Sequence, residues 1–305
     1  MNSIETAACA FREMGCDVLC NEPMKLHTSF KIGGCADLYV TANTKEQLAC
    51  ALDYIKKNDI PLMFVGNGTN MLVSDKGIRG VVLRLGGEFC DISLVDDTTI
   101  RCGAGALLVA ACRFALEHSL TGLEFAYGIP GSVGGAAFMN AGAYGGETKD
   151  VALCCECLTP NGEFITVENK DCDFAYRHSR FSDSGELVTE VTFKLEKGNA
   201  EEIKAQMEDI MGRRKDKQPI ELPSAGSVFK RPEGYFAGAL IQECDLKGCT
   251  IGGAQVSTKH SGFIVNIGDA TCSDVLDLVA HIQDTVLREK GVQLECEIRA
   301  VGDGV

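Results

Sequence analysis

The sequence is short of positive charge. Its 305 residues carry 29 Lys and Arg against 43 Asp and Glu, a formal net charge of −14, which is the wrong sign for a non-specific binder of nucleic acid or of anionic membrane surfaces. Any anionic ligand must therefore meet a local basic cluster or backbone amides. The chain also lacks an uninterrupted apolar run long enough to span a bilayer, and Met1 to Glu13 shows no basic stretch leading into an apolar one, so a cytoplasmic protein with no membrane partner is expected. No repeat or low-complexity tract is present. The phosphate-loop pattern G-x-x-x-x-G-K-[ST] is missing, and Gly103-Ala104-Gly105 runs into Ala106-Leu107-Leu108 without the third glycine of the dinucleotide fingerprint. The five histidines have no metal-ligand spacing, and the C-x-x-C within Cys154-Cys155-Glu156-Cys157 has no partner pair, so no metal is expected.

What is present points to a folded protein. The chain is 45% hydrophobic and 24% charged, enough to bury at least one full core. Its 16 cysteines read, in a reducing compartment, as small buried hydrophobes. The competing reading is a cysteine-rich metal or iron–sulfur protein without catalysis.

Three stretches differ in texture. Residues 1–85 read as a helix, a strand around Asp37 to Val40, a second helix with Leu48, Leu52 and Ile55 on one face, and the strand Leu62 to Val65. Thr44 followed by Gln47 predicts a capping box for the second helix. Residues 86–198 read as short strands around one helix, Ala106 to His118. Residues 199–305 begin with a helix from Ala200 to Lys215 and a polar link, Lys217 to Pro223. A last helix, Asp274 to Lys290, is stopped by Gly291, and the strand Val292 to Val301 is expected after it.

Two glycine-rich turns follow strands or helices in the manner of ligand loops. The first is Gly66-Asn67-Gly68-Thr69-Asn70. The second runs from Tyr127 to Gly146, where seven of twenty residues are glycine. Such loops let backbone N–H groups gather around a pyrophosphate without Lys or Arg, which suits an acidic protein.

These loops sit among blocks that resemble a known family. His27-Thr28-Ser29-Phe30-Lys31-Ile32-Gly33-Gly34, Val65 to Asn70, Gly128-Ile129-Pro130-Gly131-Ser132-Val133-Gly134-Gly135-Ala136, Tyr176-Arg177-His178-Ser179-Arg180-Phe181, Ala225-Gly226-Ser227-Val228-Phe229-Lys230 and Leu294-Glu295-Cys296-Glu297-Ile298-Arg299 are similar to those of the UDP-N-acetylenolpyruvoylglucosamine reductases (the MurB family), flavin enzymes of peptidoglycan precursor synthesis. The blocks occur in family order over nearly the whole chain. Only Ser182 to Gly185 separates the Tyr-Arg block from the next strand, as in the shorter subclass. Cys35 and Cys296 stand where the family commonly has proline, and Lys31 where arginine is usual.

The resemblance implies an α+β protein with a two-lobed FAD-binding fold of the vanillyl-alcohol-oxidase-like (PCMH-type) class, over residues 1–85 and 86–198, and a C-terminal α+β substrate-binding domain over 199–305. It implies non-covalent FAD, held by Gly66, Asn67, Gly68, Thr69, Asn70, Gly128, Ile129, Pro130, Gly131, Ser132, Gly134, Gly135, Asn140 and Ala141, with NADPH as hydride donor. The reaction implied is reduction of the enolpyruvyl ether of UDP-N-acetylglucosamine-enolpyruvate to UDP-N-acetylmuramate. A UDP-sugar and NADPH are the partners implied, with no obligate protein partner. The nearest alternative is another flavin enzyme of the same fold acting on a hydroxy acid or a sugar.

That reaction builds enolate charge on a carboxylate and then needs a proton at the α carbon. Arg177 is expected as the bidentate fork for the carboxylate and Ser227 as the proton donor, recharged by neighbours or water. Glu297 is expected as the carboxylate-polarising acid. Glu297 and Arg299 lie two apart on the expected last strand and so share a face, with Glu295 the nearest competitor. Without the resemblance, Glu297 and Arg299 read as a surface ion pair, Arg177 as a surface residue near a turn, and Ser227 as a turn serine. The basic residues Arg213, Arg214, Lys215 and Lys217, with Lys230 and Arg231, supply the local cluster. Part of that cluster also suits a helix C-terminus. Arg214, Lys230 and Arg231 are assigned to the substrate diphosphate, and Tyr176, His260 and Arg299 to the substrate site.

Overall fold

A computed structural model describes residues 3–305. The chain divides into two compact units, one made of the segment ending at Cys20 with Leu38–Asn67 and Gly80–Arg213, the other of Asn21–Asp37, Gly68–Arg79 and Arg214–Val305. Each has its own apolar core. The first is built around Phe11, Leu38, Leu48, Leu83, Ile100, Leu120 and Phe193, the second around Phe30, Leu72, Ile241, Val275, Leu278 and Ile282.

The first unit carries most of a four-stranded sheet ordered Asp17–Pro23, Cys35–Ala42, Ile78–Leu85, Leu62–Val65. Its last two strands run parallel. The helix Lys45–Lys57, which connects Cys35–Ala42 to Leu62–Val65, buries Leu48, Ala51 and Ile55. Thr44 caps it by accepting from the Gln47 N–H at 3.2 Å, but the box is not closed as expected. The Gln47 amide reaches past the cap to the Asn43 N–H and to the Gly15 carbonyl, at 2.7 and 2.9 Å. Asp59, in left-handed backbone at φ 50°, ends the helix ahead of Pro61.

A second sheet of the first unit has five antiparallel strands ordered Phe164–Glu168, Ala152–Leu158, Leu187–Lys194, Thr99–Gly103, Ile92–Asp96. The cysteine-rich run is its second strand. Residues three apart on a strand face opposite sides, so the C-x-x-C spacing of Cys154 and Cys157 does not make a chelating pair. Cys155 and Cys157 turn into the core, where burial pushes the Cys157 thiol up to about 12. Cys112 is pushed to about 12 for the same reason. Protonated thiols of this kind are packing groups rather than ligands. Among the described residues no group of three or more His, Cys, Asp or Glu is arranged to hold a metal ion.

The second unit packs the helices Ala237–Glu243 and Cys272–Lys290 with a three-stranded antiparallel sheet, Thr250–Ile251, Ala254–Val256 and Ile264–Asn266. The long helix starts two residues earlier than expected because its first turn is capped from two sides. Thr271 and Asp274 form a capping box, and the Asp75 carboxylate accepts from the Cys272 and Ser273 N–H groups at 2.8 and 3.1 Å. Gly291, at φ 69°, stops it.

The expected last strand, Val292 to Val301, is mostly not a strand. Only Arg299–Val301 is, paired parallel with Met71–Val73. The segment before it makes an isolated bridge, Cys296 opposite Phe229. Leu294 and Ile298 are buried while Cys296 is exposed, so the apolar spacing records two anchor points rather than a ladder. No described helix is long and apolar enough to cross a membrane.

Candidate active site

In the first unit the start of one glycine loop and the second glycine loop meet. The Asn67 side-chain amide donates to the Pro130 carbonyl at 2.5 Å. A Cβ on Gly66 would stand 2.5 Å from Ser132 Oγ, so a larger residue there would displace the hydroxyl that caps the following helix. Ser132 caps the short helix Val133–Phe138 by accepting from the Gly135 N–H. The bridge between Leu107 and Ser132 is flanked by Leu108 N–H to Gly131 O and Val133 N–H to Ala106 O, at 3.0 and 2.8 Å. Those two bonds make 107 and 132 a non-hydrogen-bonded pair, with the Ser132 N–H turned away from its partner strand. Gly134 is held against Ala104, whose Cβ a Gly134 Cβ would meet at 2.7 Å. Gly128 takes a left-handed φ of 86°, and the Ile129 N–H closes a turn onto Ala126.

The rest of the second glycine segment is occupied with the Arg177 turn. Ala175 and His178 exchange both backbone hydrogen bonds, at 3.1 and 3.2 Å, so Tyr176 and Arg177 form the tip of a two-residue turn. Arg177 has a left-handed φ of 55°, a conformation costing a non-glycine residue roughly 1–2 kcal/mol. Its guanidinium donates to the Gly142 carbonyl at 3.4 Å and lies 5.1 Å from the ring of the exposed Tyr176. Asn140 is buried beneath the turn, and Ala141 is the next residue along, its carbonyl taken by Thr148. Glu147, held below the usual carboxylate range by Lys149, Asn140 and the nearby Arg177, completes the bed.

In the second unit Ser227 and Glu297 are carried on adjoining segments. Residues 227 to 230 thread between two neighbours: Ser227 is bridged to Phe263 on one side, Phe229 to Cys296 on the other. The Val228 N–H donates to Gly262, and the Val228 carbonyl accepts from Glu297 N–H at 2.7 Å. Gly226, at φ 80°, turns the chain into this thread. Both Ser227 and Glu297 are half-buried, whereas Glu295 is exposed and paired with Lys230 at 3.4 Å. The two candidate glutamates are thus distinguished by their surroundings. Asn70 fixes the Glu297 segment from the glycine loop: its side-chain amide donates to the Glu297 carbonyl, and its own carbonyl accepts from the Arg299 N–H, each at 3.0 Å. Gly68 and Thr69 precede it, and a Gly68 Cβ would collide with the His27 carbonyl.

His260 packs edge-on against Phe263, with ring centres 5.1 Å apart. The Gly262 N–H donates to its Nδ1 at 3.1 Å, so the ring proton of the neutral form is on Nε2. Burial pushes this histidine below its usual range, keeping it neutral near pH 7.

Of the expected basic residues, Arg213, Lys230 and Arg231 each have local partners. Arg213, in the first unit, pairs with Asp209 and lies over Tyr144. In the second unit Arg214 is buried, Lys259 reaches the Lys215 carbonyl, Lys230 pairs with Glu295, and Arg231 stacks 4.0 Å from the Phe236 ring centre. A recess of about 440 Å³ in this unit is lined by Lys25, Lys31, Gly34, Asp75, Asn266 and Asp269, and it contains none of the expected site residues.

Residues 36–168 match the family of FAD binding domains, and that domain, joined to a separate α+β unit, defines a flavoprotein oxidoreductase. Residues 218–301 match the UDP-N-acetylenolpyruvoylglucosamine reductase C-terminal domain. UDP-N-acetylenolpyruvoylglucosamine reductase of Caldanaerobacter subterraneus is 50% identical over 283 residues, covering 93% of each chain. That of Pediococcus pentosaceus is 46% identical over 98% of each. The crystal structure of the same reductase from Thermus caldophilus superposes with a TM-score of 0.80 at 37% identity, covering 93% of this chain and 98% of that one. The chain belongs to the UDP-N-acetylenolpyruvoylglucosamine reductase family.

Proposed function

We propose that this protein is a cytoplasmic, NADPH-dependent flavoenzyme that reduces the enolpyruvyl ether of UDP-N-acetylglucosamine-enolpyruvate to UDP-N-acetylmuramate. The observation that carries the reading is the pair Ser227 and Glu297, set on adjoining backbone segments by the Glu297 N–H to Val228 carbonyl bond, in a chain half identical to such reductases.

FAD fits the first unit's residues. The close approach of the Gly66 backbone to Ser132 and a Ser132 N–H turned away from the Leu107 segment support this, since a pyrophosphate in an acidic protein calls for backbone amides. Gly66, Asn67, Gly128, Ile129, Pro130, Gly131, Ser132, Gly134 and Gly135 would hold it, with Gly68, Thr69 and Asn70 continuing the first loop. When bound, FAD supplies hydride transfer.

The chain's own groups then have distinct tasks. Arg177 holds the substrate carboxylate by two parallel N–H bonds and opposes the enolate charge. Glu297 serves as the carboxylate-polarising acid, and Ser227 Oγ gives its proton to the α carbon. Lys230, Arg231 and Arg214 oppose the diphosphate, and Tyr176, His260 and Arg299 line the substrate; the Nε2–H of a neutral His260 can donate to a sugar or phosphate oxygen.

The test is direct. Purified protein is expected to be yellow, to bleach when NADPH is added without oxygen, and to regain colour only with the enolpyruvyl sugar nucleotide. A colourless, metal-loaded preparation, or a flavin reduced by hydroxy acids or sugars and not by NADPH, overturns the reading. The cofactor loops have a test of their own. Gly66→Val is expected to force the Ser132 hydroxyl off the Gly135 N–H that it caps and lower flavin retention about tenfold. Unchanged flavin content after dialysis of this variant would remove the loops from the cofactor site.

A further inference from the structure

Asn140 lies in the second glycine segment, where the sequence suggests a cofactor residue, yet its side chain is fully engaged elsewhere. It is 1% exposed and sits in left-handed backbone at φ 41°. Both amide hydrogens are used within the protein: Nδ2 donates to Glu147 Oε2 at 2.8 Å and to the Ala175 carbonyl at 3.0 Å. Oδ1 accepts from the Lys149 N–H at 3.0 Å. One amide therefore ties together three segments, and one of them is the first residue of the turn that presents Arg177.

The other end of that turn is tied to the same stretch. Ser179, fully buried, donates from Oγ to the Phe138 carbonyl at 2.8 Å. Residues 138 and 140 thus grip residues 179 and 175, the two stems of a turn whose tip is Tyr176 and Arg177. The tip needs gripping, because Arg177 is left-handed at a turn position where glycine or asparagine is the usual occupant. Strain of this kind persists only where the surroundings over-determine it. Glu147 adds a second link, since the carboxylate that receives the Asn140 hydrogen also faces the Arg177 charge.

We propose that Asn140 is a positioning residue for Arg177, clamping the Tyr176–Arg177 turn through the Ala175 carbonyl and fixing the Glu147 carboxylate beside it. It acts on the carboxylate-binding step and not on the cofactor, an inference that rests on the reading of Arg177 as the substrate-carboxylate fork. Asn140→Asp keeps the shape and the tolerance of left-handed backbone, but replaces the donor with an acceptor facing two other acceptors.

In the holoenzyme, Asn140→Asp is expected to leave flavin content and the rate of flavin reduction by NADPH within about twofold, while slowing reoxidation by the enolpyruvyl sugar nucleotide by about 10–100-fold, the range for a small misplacement of a reacting group. Introduced into Arg177→Ala, the same change is expected to slow reoxidation by less than about threefold more, because the group it positions is gone. Ser179→Ala, which releases the other stem, should give a milder form of the same split and serves where Asn140→Asp does not fold. Loss of flavin, equal slowing of both half-reactions, or full additivity with Arg177→Ala overturns the proposal. Normal reoxidation in Arg177→Ala alone overturns instead the reading on which it rests.

Discussion

Ser227→Ala is expected to leave reduction of the flavin by NADPH nearly intact and to slow its reoxidation by the enolpyruvyl sugar about 10²–10⁴-fold, the range for removal of a general acid. The backbone around residue 227 is set by groups that alanine keeps. The Val228 N–H still meets Gly262, the Val228 carbonyl still meets Glu297 N–H, and the left-handed turn belongs to Gly226. Only Oγ is lost, from a half-buried site. A serine hydroxyl is a weak acid in water, so its use as a proton donor depends on being held against developing negative charge. Reduction by NADPH calls for no proton at the substrate α carbon. Anaerobic stopped-flow on the two half-reactions separates the steps. Equal loss in both would indicate that Ser227 supports folding or binding, and unimpaired reoxidation would assign the proton to another donor.

Glu297 shows how far a periodic pattern leads and where it stops. Its two-residue spacing from Arg299 suggested one strand face, and Leu294 and Ile298 mark the buried side. The structure keeps the two apolar anchors but gives strand geometry only to Arg299–Val301. Glu297 is placed by the Val228 carbonyl and the Asn70 amide, partners 69 and 227 residues away. No local pattern encodes bonds of that separation.

Elements whose order comes from nearby residues were legible. The strand Leu62–Val65 falls where its apolar run ends in glycine, and the helix Cys272–Lys290 stops at Gly291, the residue free to adopt left-handed backbone. Helix starts were less so. Asp75, nearly two hundred residues earlier, supplies the cap that moves the last helix's start to Cys272. The basic cluster was visible as charge, but its pairing was not: Lys230 and Glu295 are 65 residues apart and meet only because the Lys230 N–H bonds the Glu295 carbonyl. Asn140 is the sharpest case. Asparagine beside glycines reads as loop chemistry, and only the fold reveals that one of its hydrogens goes to the Ala175 carbonyl and the other to the Glu147 carboxylate.

Arg177→Lys is expected to slow reoxidation about 10–100-fold while NADPH reduction continues, because lysine keeps the charge and loses the planar fork. The comparison is clean in one respect. Arg177 is left-handed, and lysine inherits the same backbone strain, so a difference between the two reports on the head group and not on the turn. The lysine ammonium also has one point of attachment where the guanidinium offers two, so the loss should appear in the rate at saturating substrate as well as in apparent affinity. Arg177→Gly extends the argument. Glycine relieves about 1–2 kcal/mol of left-handed strain and gives back about 0.5–1 kcal/mol in chain entropy, so its thermal midpoint should equal or slightly exceed that of the parent protein while reoxidation fails. Stability and function then move in opposite directions at one residue, as expected where strain is held for the sake of a site. Full turnover in Arg177→Lys would show that charge alone suffices, and a marked fall in the Arg177→Gly midpoint would show that the arginine is there to hold the turn.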